Sequence, residues 1–151
     1  MQAGVLACGE GAVVSHGTAA ELLGLWDRRP ALIHVIGPGE RGRGIEGIRW
    51  HRVRAVLPDE RTVSDEIPCT TVARTLVDLS GGLGRRSLSR LVEAAAVKRL
   101  LDPHAVDLVL ARGAKARRPG PPRGPGAVAG RSPEEAEERA RGAIPDGTPS
   151  G

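Results

Sequence analysis

Apolar residues fall into short runs along residues 1 to 112, and their period changes from run to run. Gln2 to Cys8 has the composition of the end of a helix, with no capping residue ahead of it. Ser15 precedes an Ala- and Leu-rich run, His16 to Leu23, closed by Gly24. Serine suits an N-cap and glycine a helix stop, which predicts a two-turn helix. Ala31 to Ile36 is β-prone and ends at Gly37-Pro38-Gly39. Ile48 to Val53 places Ile48, Trp50 and Arg52 on one side and Arg49, His51 and Val53 on the other. These two runs are expected to pair as a hairpin across the Gly-rich loop 37 to 47, with a third strand at Thr62 to Ile67 ended by Pro68.

After Pro68 the period becomes helical. Thr70 is placed to cap a helix carrying Val72, Leu76 and Leu79, which stops at Gly81-Gly82. Arg85 to Leu101 repeats the pattern with Leu88, Leu91, Val92 and Ala95. Asp102-Pro103 starts a third helix, carrying Val106, Val109 and Leu110 and ending at Gly113, because Asp accepts an orphan backbone N–H and Pro has none to lose. The expected fold class is α+β: a small, mostly antiparallel sheet, a segment of about three helices, and a disordered C-terminal tail. Residues 1–112 form the domain, 113–131 a disordered basic Gly/Pro linker, and 132–151 a remnant helix opening at Ser132-Pro133-Glu134-Glu135 and running into a disordered end.

Composition narrows this picture. Trp26 and Trp50 are the whole aromatic complement, so the core is built from Leu, Val, Ile and Ala. All but two of the 22 basic residues are arginine, a bias expected of a GC-rich genome. The net charge of +4 is uneven: residues 1 to 112 carry 15 basic against 13 acidic groups, and 113 to 131 carry five against none, so the excess sits in the linker. Cys8 and Cys69 are isolated, as expected of reduced thiols in a cytoplasm, and no apolar run is long enough for a membrane span or a signal segment.

The candidate chemistry is sparse, and the chain by itself is not expected to be an enzyme. His34 and His51 can approach each other on paired strands, but two ligands do not make a site, since zinc takes at least three protein ligands; both read as ordinary strand histidines, and no metal or cofactor is expected. Ser15 beside His16 lacks the surroundings of a nucleophile and reads as an N-cap. Gly37 to Gly44 lacks the ending of a phosphate loop. Arg74 and Asp78 stand four apart on one helix, where a solvated i,i+4 pair is the first reading and an inward-pointing pair at the strand-to-helix corner the second. Arg85, Arg86 and Arg90 are candidates for non-specific nucleic-acid contact, with no stacking aromatics beside them.

Four segments taken in order carry a resemblance: Val14-Ser-His-Gly-Thr-Ala-Ala-Glu-Leu-Leu-Gly-Leu25, Ile33-His-Val35, Gly47-Ile-Arg-Trp-His-Arg52 and Ile67-Pro-Cys-Thr-Thr-Val-Ala-Arg-Thr-Leu-Val-Asp-Leu79. Together they resemble the AbiEi-type antitoxin and transcriptional-regulator family of bacterial type IV toxin–antitoxin systems, in its actinobacterial branch, over about residues 4 to 112. The resemblance implies a regulator whose winged helix binds its own promoter and whose following domain suppresses a nucleotidyltransferase-like toxin. The winged helix would precede Met1, so the domain is expected to be N-terminally truncated, with weak or no DNA binding. Ser15, His51, Arg52, Pro68, Thr70, Arg74, Thr75 and Asp78 become its structural signature, with Thr70 capping and His51-Arg52 offering a partner surface. Relatives fused to a very-short-patch-repair-like endonuclease begin that domain with a helix similar to Arg131 to Arg139, but the metal-binding groups of such a nuclease have no counterpart here. The expected function is a non-catalytic regulatory or antitoxin-like domain acting by protein contact. The alternatives are the accessory domain of a truncated endonuclease and a non-functional fragment.

Overall fold

The computed structural model describes residues 2–116. Helix α1 (Gln2–Ala7) leads into strand β1 (Val13–Val14), helix α2 (His16–Leu22), and strands β2 (Ile33–Gly37) and β3 (Ile48–Arg52). A single 3-10 turn (Pro58–Glu60) precedes β4 (Arg61–Ser64) and β5 (Ile67–Thr70), and three helices follow: α3 (Val72–Ser80), α4 (Arg85–Val97) and α5 (Pro103–Ala116). The α+β class therefore stands. Helix α5 runs past Gly113, its expected end, to Ala116. The rest of the expected linker and the expected helix within 132–151 lie outside the described residues.

The strands form one sheet in the order β3-β2-β1-β5-β4. Its pairing is mixed rather than mostly antiparallel: β1 runs antiparallel to β2 and β4 to β5, while β2–β3 and β1–β5 are parallel. Residues 38–47 are thus a crossover and not a hairpin loop. Trp50 explains how so short a connection holds. Its indole N–H donates to the Gly39 carbonyl at 3.1 Å, and a Cβ on Gly42 would lie 2.1 Å from the ring, so the loop backbone lies flat on the indole where only glycine fits. The register Val35↔Trp50 puts both side chains on the face that carries the main core.

The third expected strand is a hairpin of two. Ser64 pairs with Ile67, so Asp65 and Glu66 make a two-residue turn with φ of 47° and 63°. This is the doubly left-handed geometry of a type I′ turn, which glycine and asparagine adopt more cheaply than glutamate. Pro68 does not end the strand but lies inside β5, opposite Val63. In a two-residue hairpin the pair next to the turn exchanges hydrogen bonds and the following pair points its N–H groups outward, so proline removes no β4–β5 bond. Replacing Glu66 with glycine is expected to stabilise the chain by about 1 kcal/mol, read as a higher urea midpoint at unchanged slope. A lower midpoint would show that the Glu66 side chain contributes more than its backbone strain.

Three apolar clusters hold these elements. Val14, Val35 and Cys69 face α1 and α2 through Val5, Cys8 and Ala19. Val13, Ile36 and Val56 occupy the opposite sheet face. Ala20, Leu25, Leu76, Leu79, Leu91 and Ala95 join α2 to α3 and α4. The predicted helical stripes are buried at Leu76, Leu79, Leu91, Ala95 and Val109, whereas Val92 and Leu110, also assigned to them, are exposed.

Candidate functional site

Two parallel strand-to-helix corners lie side by side in the sheet: β1 into α2 and β5 into α3. At the first, Ser15 occupies the N-cap position with extended backbone, yet its side chain makes no capping bond. Its Oγ instead lies 2.9 Å from Nδ1 of His16, and Ser15 is fully buried. His16 begins the helix at φ 50°, a left-handed backbone uncommon for any residue but glycine.

That backbone carries the His16 imidazole to two others. Parallel pairing aligns His34 with Arg49 and Ile36 with His51, so His34 and His51 share a face, and His51 Nε2 lies 3.0 Å from His34 Nδ1. His16 stacks on His51 with ring centroids 3.8 Å apart and 15° between planes, and its centroid is 5.6 Å from that of His34. The expected approach of His34 and His51 is thus observed, on parallel strands, and His16 joins them as a third member that the sequence reading assigned only to a helix start. The backbone N–H of His34 donates to Thr18 Oγ1 at 2.9 Å, tying β2 to α2.

The cluster is uncharged at neutral pH. Burial first, then the imidazoles of His51 and His34, then Arg74 and Arg49 push His16 down to about 3. Burial, His51 and Arg49 push His34 down to about 4, and burial with Arg49 does the same to His51. In the short His34–His51 contact one nitrogen donates and the other accepts, so protonating both rings would set two N–H groups head to head.

At the second corner, Arg74 faces inward, which overturns the reading of a solvated pair. Its Nη1 donates to Glu60 at 2.7 Å and its Nε to Asp78 at 2.9 Å, with side-chain exposures of 15%, 3% and 12% for Arg74, Glu60 and Asp78. Arg112 on α5 reaches the same Glu60 at 3.2 Å and Asp59 at 2.8 Å, locking the last helix to the 3-10 turn. Burial raises Asp78 to about 6 despite Arg74, and its Oδ2 is buried with no hydrogen-bond partner among the described residues. The cap of α3 is Thr71, whose side chain accepts from the Arg74 N–H, and not Thr70. Thr70 ends β5 fully buried, its hydroxyl 2.7 Å from that of Thr75.

The remaining expected positions do not converge here. Arg52 is exposed and pairs with Glu40 at 3.0 Å, and His51 turns into the cluster instead of presenting a surface with it. Arg85, Arg86 and Arg90 are exposed on α4. Glu60 and Arg112 carry no sequence pattern, being an acidic residue in a loop and an arginine near a helix end; only burial and pairing reveal them.

Among known proteins, the family model described as the AbiEi antitoxin C-terminal domain matches residues 11–119. The match spans both strand-to-helix corners, all three histidines of the cluster and the Arg74–Glu60 pair. No curated protein matches the chain.

Proposed function

The chain belongs to the family of AbiEi antitoxin C-terminal domains, which carries a toxin–antitoxin or regulatory role, and on that premise we propose that it is a non-catalytic antitoxin-like domain acting by protein contact. Its first partner is a nucleotidyltransferase-like toxin of a bacterial type IV system. The family match carries this reading, because it covers the whole sheet and α2 to α5. The chemistry of the corners fits a scaffold better than a catalyst. Ser15 is too buried for a substrate to reach its hydroxyl, and Arg74 is saturated by carboxylates.

The contact surface is assigned to α4, α5 and the turn between them. Five of the nine exposed large hydrophobic residues among the described residues lie there, Val92, Val97, Leu100, Leu108 and Leu110, with Leu108 and Leu110 flanking the buried Val109 on opposite sides of α5. Arg85, Arg86 and Arg90 add charge at the start of α4 and give at most weak, salt-sensitive contact with nucleic acid. The buried free thiols Cys8 and Cys69 suit a cytoplasmic protein, and no helix among the described residues is long and apolar enough to cross a membrane.

Co-expression tests the reading. The wild-type chain is expected to restore growth to cells making the toxin. The double variant Leu108→Glu, Leu110→Glu is expected to keep its circular-dichroism spectrum and lose the rescue. Full rescue by that folded variant would remove the α4–α5 surface from the account, and no rescue by the wild type would remove the antitoxin assignment.

A further inference from the structure

We propose that His16, His34 and His51 form a binding site for one divalent transition-metal ion of the zinc, cobalt or nickel type. One ligand nitrogen from each of the three lies within 4.8 Å of the other two. Three protein imidazoles are the minimum set that holds zinc with a position left for water or a partner's ligand. The donors are all nitrogen, which selects these borderline ions over magnesium or calcium, since those take oxygen.

Four features favour a site over an accidental cluster. The ligands come from α2, β2 and β3, so only the folded chain assembles them. His16 holds its ring there with a left-handed backbone, a strain that persists where the surrounding structure fixes it and that concentrates at functional positions. Ser15 Oγ sits on His16 Nδ1, the outer contact that, accepting an N–H, leaves Nε2 with a free lone pair. His34 is buried while His16 and His51 keep partial exposure, which gives an ion a way in.

Charge and geometry set what binding requires. Arg49 and Arg74 stand near the rings, but Arg74 is matched by Glu60 and Asp78, which leaves Arg49 as the unfavourable neighbour. An anionic fourth ligand would offset it. Three nitrogens around one tetrahedral zinc sit about 3.4 Å apart at metal–nitrogen bonds of about 2.0 to 2.1 Å. The 3.0 Å His34–His51 hydrogen bond comes close to this once its hydrogen shifts to the donor ring's other nitrogen and the pair opens slightly, whereas the stacked His16 ring must rotate away from His51 and close on the other two.

The test is titration of the chelator-treated full chain with Zn2+ by calorimetry and with Co2+ by visible absorption. One ion per chain is expected, in the micromolar range, with the Co2+ spectrum of a low-symmetry nitrogen site. His16→Asn is the decisive variant, because asparagine tolerates the left-handed backbone and keeps the fold while removing the ligand. It and His34→Gln are expected to weaken Zn2+ binding by about a hundredfold, and Ser15→Ala by about tenfold. His104→Asn, at the exposed start of α5, is expected to leave binding unchanged. Wild-type affinity in folded His16→Asn would reduce the site to an adventitious histidine pair and overturn the proposal, as would the absence of saturable binding below millimolar Zn2+.

Discussion

Acidifying the metal-free chain from about pH 6.5 to about pH 4.5 is expected to remove about 2 to 4 kcal/mol of folding stability. The three clustered histidines have folded-state pKa values of about 3, 4 and 4 against 6.5 in an unfolded chain, so in this window the unfolded state binds up to three protons that the folded state refuses. A group with a depressed histidine pKa contributes stability above pH 6.5 and loses it as pH falls toward the folded value. Asp78 works in the opposite sense. Its folded pKa of about 6 against 3.8 means that it takes up a proton in the folded state first, and this offsets about one of the three. Each remaining proton is worth about 1.4 kcal/mol per pH unit, and the figure given is reduced because His34 and His51 keep some contact with solvent. Urea midpoints across this range read the effect directly. His34→Gln should lower the midpoint at pH 7 and flatten its pH dependence. A profile flat from pH 6.5 to 4.5 would mean that the rings are solvated and not packed as described.

Arg74→Ala is expected to cost about 3 to 5 kcal/mol at neutral pH, a large part of the stability of a small domain. The reason is what remains: Glu60 is 3% exposed and Asp78 12%, and without the guanidinium Asp78 loses its partner while Glu60 keeps only the Arg112 contact. Arg74→Lys should recover only part of the loss, because one ammonium cannot donate along two directions as the guanidinium fork does. Asp78→Asn should cost less than Arg74→Ala, since the amide oxygen still accepts from Nε, although the amide N–H2 takes the buried, unpartnered place of Oδ2. Replacing Arg74, Glu60 and Asp78 together by leucine should be far milder than Arg74→Ala alone, because it removes buried charge in place of stranding it. Chemical denaturation of the four variants separates these expectations. A loss below about 1 kcal/mol in Arg74→Ala would restore the solvated surface pair.

Most elements were legible from period and punctuation, and the parts that were not share a physical cause. Helices α2 to α5 announce themselves by apolar spacing and by stops such as Gly24, which adopts φ 69° at the end of α2. Strands β2 and β3 are visible as β-prone runs. Strand β1 has two residues and β5 contains Pro68, so neither has a pattern, and these two strands decide the sheet order. Without them, the parallel β2–β3 crossover reads as a hairpin. The same gap hides the histidine cluster: the β-prone runs bring His34 and His51 together, but His16 reaches them only because β1 lies beside β2 and the chain turns left-handed at the start of α2. The Ile67 to Leu79 block lies at the second corner, while Glu60, which pairs with Arg74, stands 14 positions before it, and Arg112, which shares Glu60, lies on another helix.

The measurement that bears most directly on the antitoxin reading is calorimetric titration of the purified chain into the purified toxin, beside the growth-rescue assay. Rescue together with saturable one-to-one binding that survives raised salt is the predicted result, as an apolar α4–α5 contact requires. Rescue without any binding would place the action on the toxin's target and contradict direct contact.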